Sequence, residues 1–203
     1  SVIVFLIPMS FDVMIDIGPK SQEDVHKTYF LLDEAATRLA TRISAYGFDA
    51  RVQANRGEIP LPAYGQLAGL GELGKHGSLI SPELGSAFRI SAVSTDMPLL
   101  ADGPRDFGID EICTNCHICT RFCPGEAIRP QKVSVDGMLR WQIDTPACHP
   151  HFLRLYGCKI CLSVCPMNAR GNKKAEYKTV ANDIRAAKDA AGMLELIDDR
   201  GDL

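Results

Sequence analysis

The sequence predicts an α+β fold in three consecutive parts. These are an α/β part over residues 1–108, a cysteine-rich module over 109–170 and a helical tail over 171–203. Three observations carry this division. A β-branched apolar run opens the chain and leads into a long helical stripe. All eight cysteines fall between Cys113 and Cys165. A second helical stripe follows the last cysteine. With 203 residues and 46% hydrophobic content, the chain can bury the core of one domain or of two small ones. A net charge of −3 argues against nucleic acid as a main partner, because phosphate binding needs a basic field. No apolar run approaches the ~20 residues that span a bilayer. No basic n-region or cleavage pattern marks an export signal. The chain opens directly on an expected strand at Ser1–Val2, so the α/β part is expected to be incomplete at its N-terminus.

Residues 2–9, VIVFLIPM, are continuously apolar and β-branched, which predicts a buried strand. Ser21 with Asp24 three residues on resembles a capping box. Val25, Tyr29, Leu32, Ala36, Leu39, Ile43 and Tyr46 then recur at helical spacing, and Gly47 ends the run. Phe48, Ala50, Val52 and Ala54 alternate as in a short strand. Residues 57–86 are rich in Gly and Pro and predict loop with short helical pieces, and FRISAV at 88–93 predicts a strand. In KVSVDGMLRW the Asp136-Gly137 pair predicts a two-residue hairpin turn. A last helix is expected from about Tyr177, with Val180, Ile184, Ala187, Ala191 and Leu194 on one side.

The cysteines fall into two runs. The first is C-x2-C-x2-C-x3-C-P, from Cys113 to Pro124. The second, from Cys148 to Pro166, is C-x9-C-x2-C-x3-C-P, the same pattern with its first gap stretched. In two-cluster ferredoxins this spacing holds two [4Fe–4S] cubes, the fourth cysteine of each run crossing to the other cube. The crossover predicts Cys113, Cys116, Cys119 and Cys165 on one cluster, and Cys123, Cys148, Cys158 and Cys161 on the other. Zinc would need only paired C-x2-C units, and disulfides would leave the spacing unexplained. Eight thiolates complete two cubes, so His117, His149 and His151 read as neighbours and not as ligands. A two-cluster ferredoxin needs far fewer residues, so the segment before Cys113 requires a task of its own.

The stretch AGLGELGKHGSLISPELGSAFRISAVSTDMPLLADGPRDFGIDEICTNCHICTRFCPGEAI, residues 68–128, resembles the corrinoid-dependent reductive dehalogenases. The resemblance reaches back to FLIPMSFDVM and forward to the second cysteine run, with the glycines, Pro-Glu-x-Gly and Thr-Asp-x-Pro-Leu in the family's order. Epoxyqueuosine reductase is similar over a shorter stretch, but its general acid is an aspartate where this chain has Asn55. The resemblance implies a nitroreductase-like α/β part holding base-off cobalamin, fed with electrons through both clusters, and an organohalide substrate. It also implies a ferredoxin, flavodoxin or reductase as electron donor. The part of the family that lies upstream would come from a missing segment or a second chain.

Residue by residue, the resemblance places the family's proton-donating tyrosine on Tyr29, its asparagine on Asn55 and its arginine on Arg89. A phenol with an ordinary pKa of about 10 is a loaded proton donor at neutral pH. A guanidinium beside it stabilises the phenolate left behind. Without the resemblance, Tyr29 reads as a core residue of a helical stripe, Arg89 as a surface ion-pair partner and Asn55 as a turn residue. Gly69, Gly71, Gly74 and Gly77, with Lys75, His76 and the Ser81 to Gly85 loop, fall where the family surrounds the corrinoid and its tail. By composition alone this is a surface loop, with Lys75 and His76 solvated. The twin-arginine signal of respiratory members is not in the sequence. That leaves a cytoplasmic protein expected, or the trimmed form of a longer precursor exported by the twin-arginine route and membrane-associated on the outer face. Two readings outside organohalide chemistry stay open: an electron-transfer subunit with no substrate of its own, and a cobalamin-dependent reductase of another substrate.

Overall fold

The computed structural model describes residues 1–10, 13–14, 18–55 and 58–168. The terminal helix expected from Tyr177 lies outside the described residues. The first part is a three-stranded antiparallel sheet in the order β1-β5-β2, with β1 at Val2–Pro8, β2 at Ala50–Gln53 and β5 at Phe88–Thr95. The central strand β5 pairs Val2 with Ser94 and Pro8 with Phe88 on one side, and Gln53 with Ala92 on the other. The strand expected over residues 2–9 is present, but its residues are half-buried, not enclosed. It lies at the edge of the sheet, where a continuous apolar run cannot bury every side chain.

Helix α1 spans Pro19–Ser44 and buries Ser21, Thr28, Leu32, Ala36, Ala40 and Ile43 along one stripe. The expected capping box is not what starts it. Gly18 is the N-cap without a side-chain hydrogen bond, Pro19 takes the first position, and Ser21 is turned inward inside the helix. Proline there has its φ already set and lacks only an N–H that the first turn leaves unpaired anyway. Ala36 and Ala40 are small enough to bring the helix close to the sheet. They meet Ile3, Phe5, Val52 and Val93, which share one sheet face by the two-residue alternation of strands. Tyr46, expected on the stripe, is exposed instead, with the Arg42 guanidinium 5.5 Å from its ring centre. The chain turns at Gly47, φ +89°, into β2.

The glycine-rich stretch contains helix α2 at Leu61–Leu67 and a small hairpin of β3, Glu72–Leu73, with β4, Leu79–Ile80. Gly65 of α2 lies against Leu79 and against Ile90, on the sheet face opposite α1. Gly71 lies against the Ile80 carbonyl so closely that a Cβ would overlap it, and backbone cannot yield as a side-chain tip can. Gly71→Ala is therefore expected to cost about 1–3 kcal/mol, the range of an overpacked site, read as a lowered denaturant midpoint.

The second part begins with α3, Ile109–Asn115, and α4, Ile118–Phe122. Next come the hairpin of β6, Val133–Val135, and β7, Met138–Arg140, and then α5, Thr145–Arg154, and α6, Ile160–Ser163. The hairpin turns on Asp136 and Gly137, both at positive φ, as the pair predicts. Both parts contribute to one buried group, Ile80 with Ile109 and Cys165. Glu72 also accepts hydrogen bonds from the Phe107 and Ile109 N–H groups, at 3.2 and 2.7 Å. No helix among the described residues is long and apolar enough to cross a membrane.

Candidate functional site

Short helices bring the cysteines together. Cys113 sits in α3, Cys116 just after it, Cys119 in α4 and Cys165 beyond α6. These four, the first three of one run and the last of the other, line a single small cavity with Lys75, His76 and Ile80. The sulfurs surround a space; among the described residues no group of three or more His, Cys, Asp or Glu is drawn together on one ion. Burial raises the Cys119 thiol to about 11 and the Cys165 thiol to about 12, each also feeling Cys113 and Cys116. The second set is linked through the mutual effects of its thiols. Burial raises the Cys158 thiol to about 11, with Cys148 and Cys123 adding to the rise. Burial drives Cys161 well above its ordinary value, and its sulfur neighbours are Cys158, Cys119, Cys123 and Cys148. Cys161 and Cys119 thus put the two sets side by side.

These donor sets fit iron–sulfur cubes. A buried thiol gives up its proton when a metal cation replaces it. Backbone N–H groups are already turned to sulfur, from Lys75 to Cys113 Sγ at 3.4 Å and from Ala127 to Cys123 Sγ at 3.3 Å. Asp144 caps α5 through the Ala147 N–H at 3.1 Å, which sets the helix carrying Cys148.

Lys75 and His76 are not solvated. They are 1% and 3% exposed and face the first cysteine set. Composition misleads here because what covers them is distant in sequence. Lys75 Nζ donates to His117 Nδ1 at 3.0 Å and lies 4.9 Å from the centre of the Trp141 ring. Asp110, Lys132 and Trp141 form a group that no local pattern foretells, since its members come from three separate segments. Asp110 accepts from Lys132 Nζ at 2.6 Å and from Trp141 Nε1 at 2.8 Å. Burial alone would raise the Asp110 carboxyl, but these two hydrogen bonds outweigh it and hold it below its ordinary value.

The other candidate residues gather at one end of the sheet. Arg89 lies on β5 and places its guanidinium 5.7 Å from the centre of the Tyr29 ring on α1. It is no surface ion-pair partner. Its Nη1 donates to the Phe88 carbonyl at 3.2 Å and its Nε is buried without a hydrogen bond. Burial pushes the guanidinium below its ordinary value, opposed by Tyr29 and Asp24. Asp24 Oδ2 and Ser21 Oγ, on the same helix, are also buried without partners, and neither stood out in the sequence. Asn55 stands in the exposed turn after β2. Since Gln53 pairs with Ala92, Asn55 leaves the sheet at the end that carries Arg89.

Gly71 and Gly74 are occupied by their own hairpin, against Ile80, and Gly77 lies against Ile143. The Ser81–Gly85 turn closes on itself and rests on the end of the second cysteine run. There the Ser86 N–H donates to Asn168 Oδ1 at 2.6 Å, and Asn168 Nδ2 donates back to Ser86 Oγ at 3.0 Å.

An antiparallel sheet with a half-buried arginine–tyrosine pair, leading through one loop into eight grouped cysteines, defines an α+β iron–sulfur redox protein. Residues 112–169 match the 4Fe-4S dicluster domain family. Over 94% of its length the chain is 32% identical to the tetrachloroethene reductive dehalogenase of Desulfitobacterium hafniense, of which it spans 37%. It superposes on a catabolic reductive dehalogenase, NpRdhA, in complex with 3-bromo-4-hydroxybenzoic acid. The TM-score is 0.75 at 27% identity, covering 98% of this chain and 30% of that one. Epoxyqueuosine reductase of Leadbetterella byssophila is 35% identical over 54% of this chain and 38% of its own. The chain is a reductive dehalogenase homologue over nearly its whole length, and it spans about a third of the length of those relatives.

Proposed function

We propose that this chain carries the electron-delivering half of a reductive dehalogenase and the side chains that protonate its product. The crossed cysteine sets would hold two [4Fe–4S] clusters, and a nitroreductase-like part before Cys113 would hold cobalamin. The observation that carries the reading is the half-buried Arg89 guanidinium, its Nε enclosed, against the Tyr29 ring, on the strand that follows the loop buttressed by Asn168. When bound, cobalamin supplies the low-valent cobalt that opens a carbon–halogen bond. The Tyr29 hydroxyl gives its proton to the carbon, and Arg89 stabilises the phenolate that remains. Asn55, a neutral amide, orients the phenol and lines the halide side without adding charge. His76 lines the cysteine cavity, which takes its ring away from a cobalt-ligating role.

Anaerobic reconstitution with iron, sulfide and cobalamin tests this. About eight iron and eight sulfide per chain are expected, with bound corrinoid and release of halide from an organohalide under a low-potential donor. Zinc in place of iron would sink the reading. Full clusters with neither corrinoid nor halide release would leave an electron-transfer subunit.

A further inference from the structure

His76 has a hydrogen-bonding pattern that leaves one donor over. Its Nδ1 accepts the Ser78 N–H at 3.2 Å, so that nitrogen carries no proton. The imidazole proton therefore sits on Nε2. Nε2 is buried and has no partner in the protein, and the ring lines the cavity of Cys113, Cys116, Cys119 and Cys165.

A second observation points the same way. Lys75 is buried, and among the described residues its ammonium pairs with no carboxylate. It is held by a neutral nitrogen of His117 and the face of Trp141. A buried cation without a counter-charge is costly. Four thiolates around an iron–sulfur cube carry net negative charge and lie on the cavity that Lys75 lines.

We propose that His76 Nε2–H donates a hydrogen bond to a sulfur of the cluster held by Cys113, Cys116, Cys119 and Cys165, and that Lys75 is its counter-charge. Together they raise that cluster's reduction potential. The proposal rests on the reading of those cysteines as cluster ligands. The physical basis is that a donor to sulfur and a nearby cation both favour the more negative, reduced form. His76 and Lys75 act here as tuning residues and touch no substrate.

The experiment is an EPR-monitored redox titration of the reconstituted protein and of His76→Leu, Lys75→Met and His76→Gln. His76→Leu and Lys75→Met should each make the first cluster about tenfold harder to reduce, a shift of ~59 mV to lower potential for one electron. The cluster of Cys123, Cys148, Cys158 and Cys161 should not shift. His76→Gln, which can offer an amide N–H at the same place, should stay near the wild-type value. Pulsed EPR of wild-type protein labelled with 15N-histidine should show a weak coupling that is lost in His76→Gln. This measurement decides the matter if the other variants fail to load iron. Full iron content with unshifted potentials, or no histidine coupling in the wild type, overturns this inference alone. A wild-type protein with no iron–sulfur signal overturns the cluster reading beneath it.

Discussion

Tyr29→Phe should lower dehalogenation by ~10²-fold or more, the usual contribution of a general acid, while iron content and bound corrinoid stay at wild-type levels. The ring remains on α1, beside the Arg89 guanidinium, so packing is kept and only the hydroxyl is lost. If the residue served the core alone, the same change would cost about 1 kcal/mol, one hydrogen bond, and leave the rate near its original value. Arg89→Lys sharpens the comparison. It keeps a charge and loses the planar face that meets the phenol, so a rate loss there points to geometry and not to charge alone. Full turnover in Tyr29→Phe, with normal clusters, would remove the tyrosine from the chemistry.

Cys165→Ala should remove the cluster built mostly by the other run. Iron should fall from about eight to about four per chain, and the surviving EPR signal should belong to Cys123, Cys148, Cys158 and Cys161. A double variant separates this from a pairing of each run with itself. Under the crossed arrangement, Cys113→Ala combined with Cys165→Ala strikes one cluster twice, and iron stays near four. Under the local arrangement it strikes both, and iron falls toward zero. The cavity shared by these two cysteines, with Cys116 and Cys119, is the reason to expect the first outcome.

The grouping of the cysteines was readable from spacing because ligand spacing is itself the geometry of the site. The Asp136-Gly137 turn was readable for a similar reason, since both residues tolerate the positive φ that the hairpin requires. The start of α1 was misplaced because Ser21 and Asp24 imitate a cap, while Pro19 starts the helix by its ring. The apolar run of β1 reads as a buried strand, yet its place at the edge is set by pairing with β5, far along the chain. Tyr29 and Arg89 were ordinary by periodicity. Neither residue's surroundings are local, and only resemblance joined them before the fold did. Lys75 and His76 lie opposite to what composition predicts. A glycine-rich neighbourhood suggests solvent, and their cover comes from His117, Trp141 and the cysteines.

The reciprocal hydrogen bonds between Ser86 and Asn168 bear on how the molecule matures. Asn168 stands three residues after Cys165, and Ser86 three residues before Arg89. The loop that enters the arginine strand is therefore pinned by a residue whose own position depends on the second cysteine run. Iron that binds only the native arrangement stabilises it by mass action. That stabilisation passes through Asn168 into the sheet. Under the proposed function, loading of metal and shaping of the Tyr29–Arg89 end of the sheet are thermodynamically coupled, and a chain starved of iron is expected to hold that end less firmly.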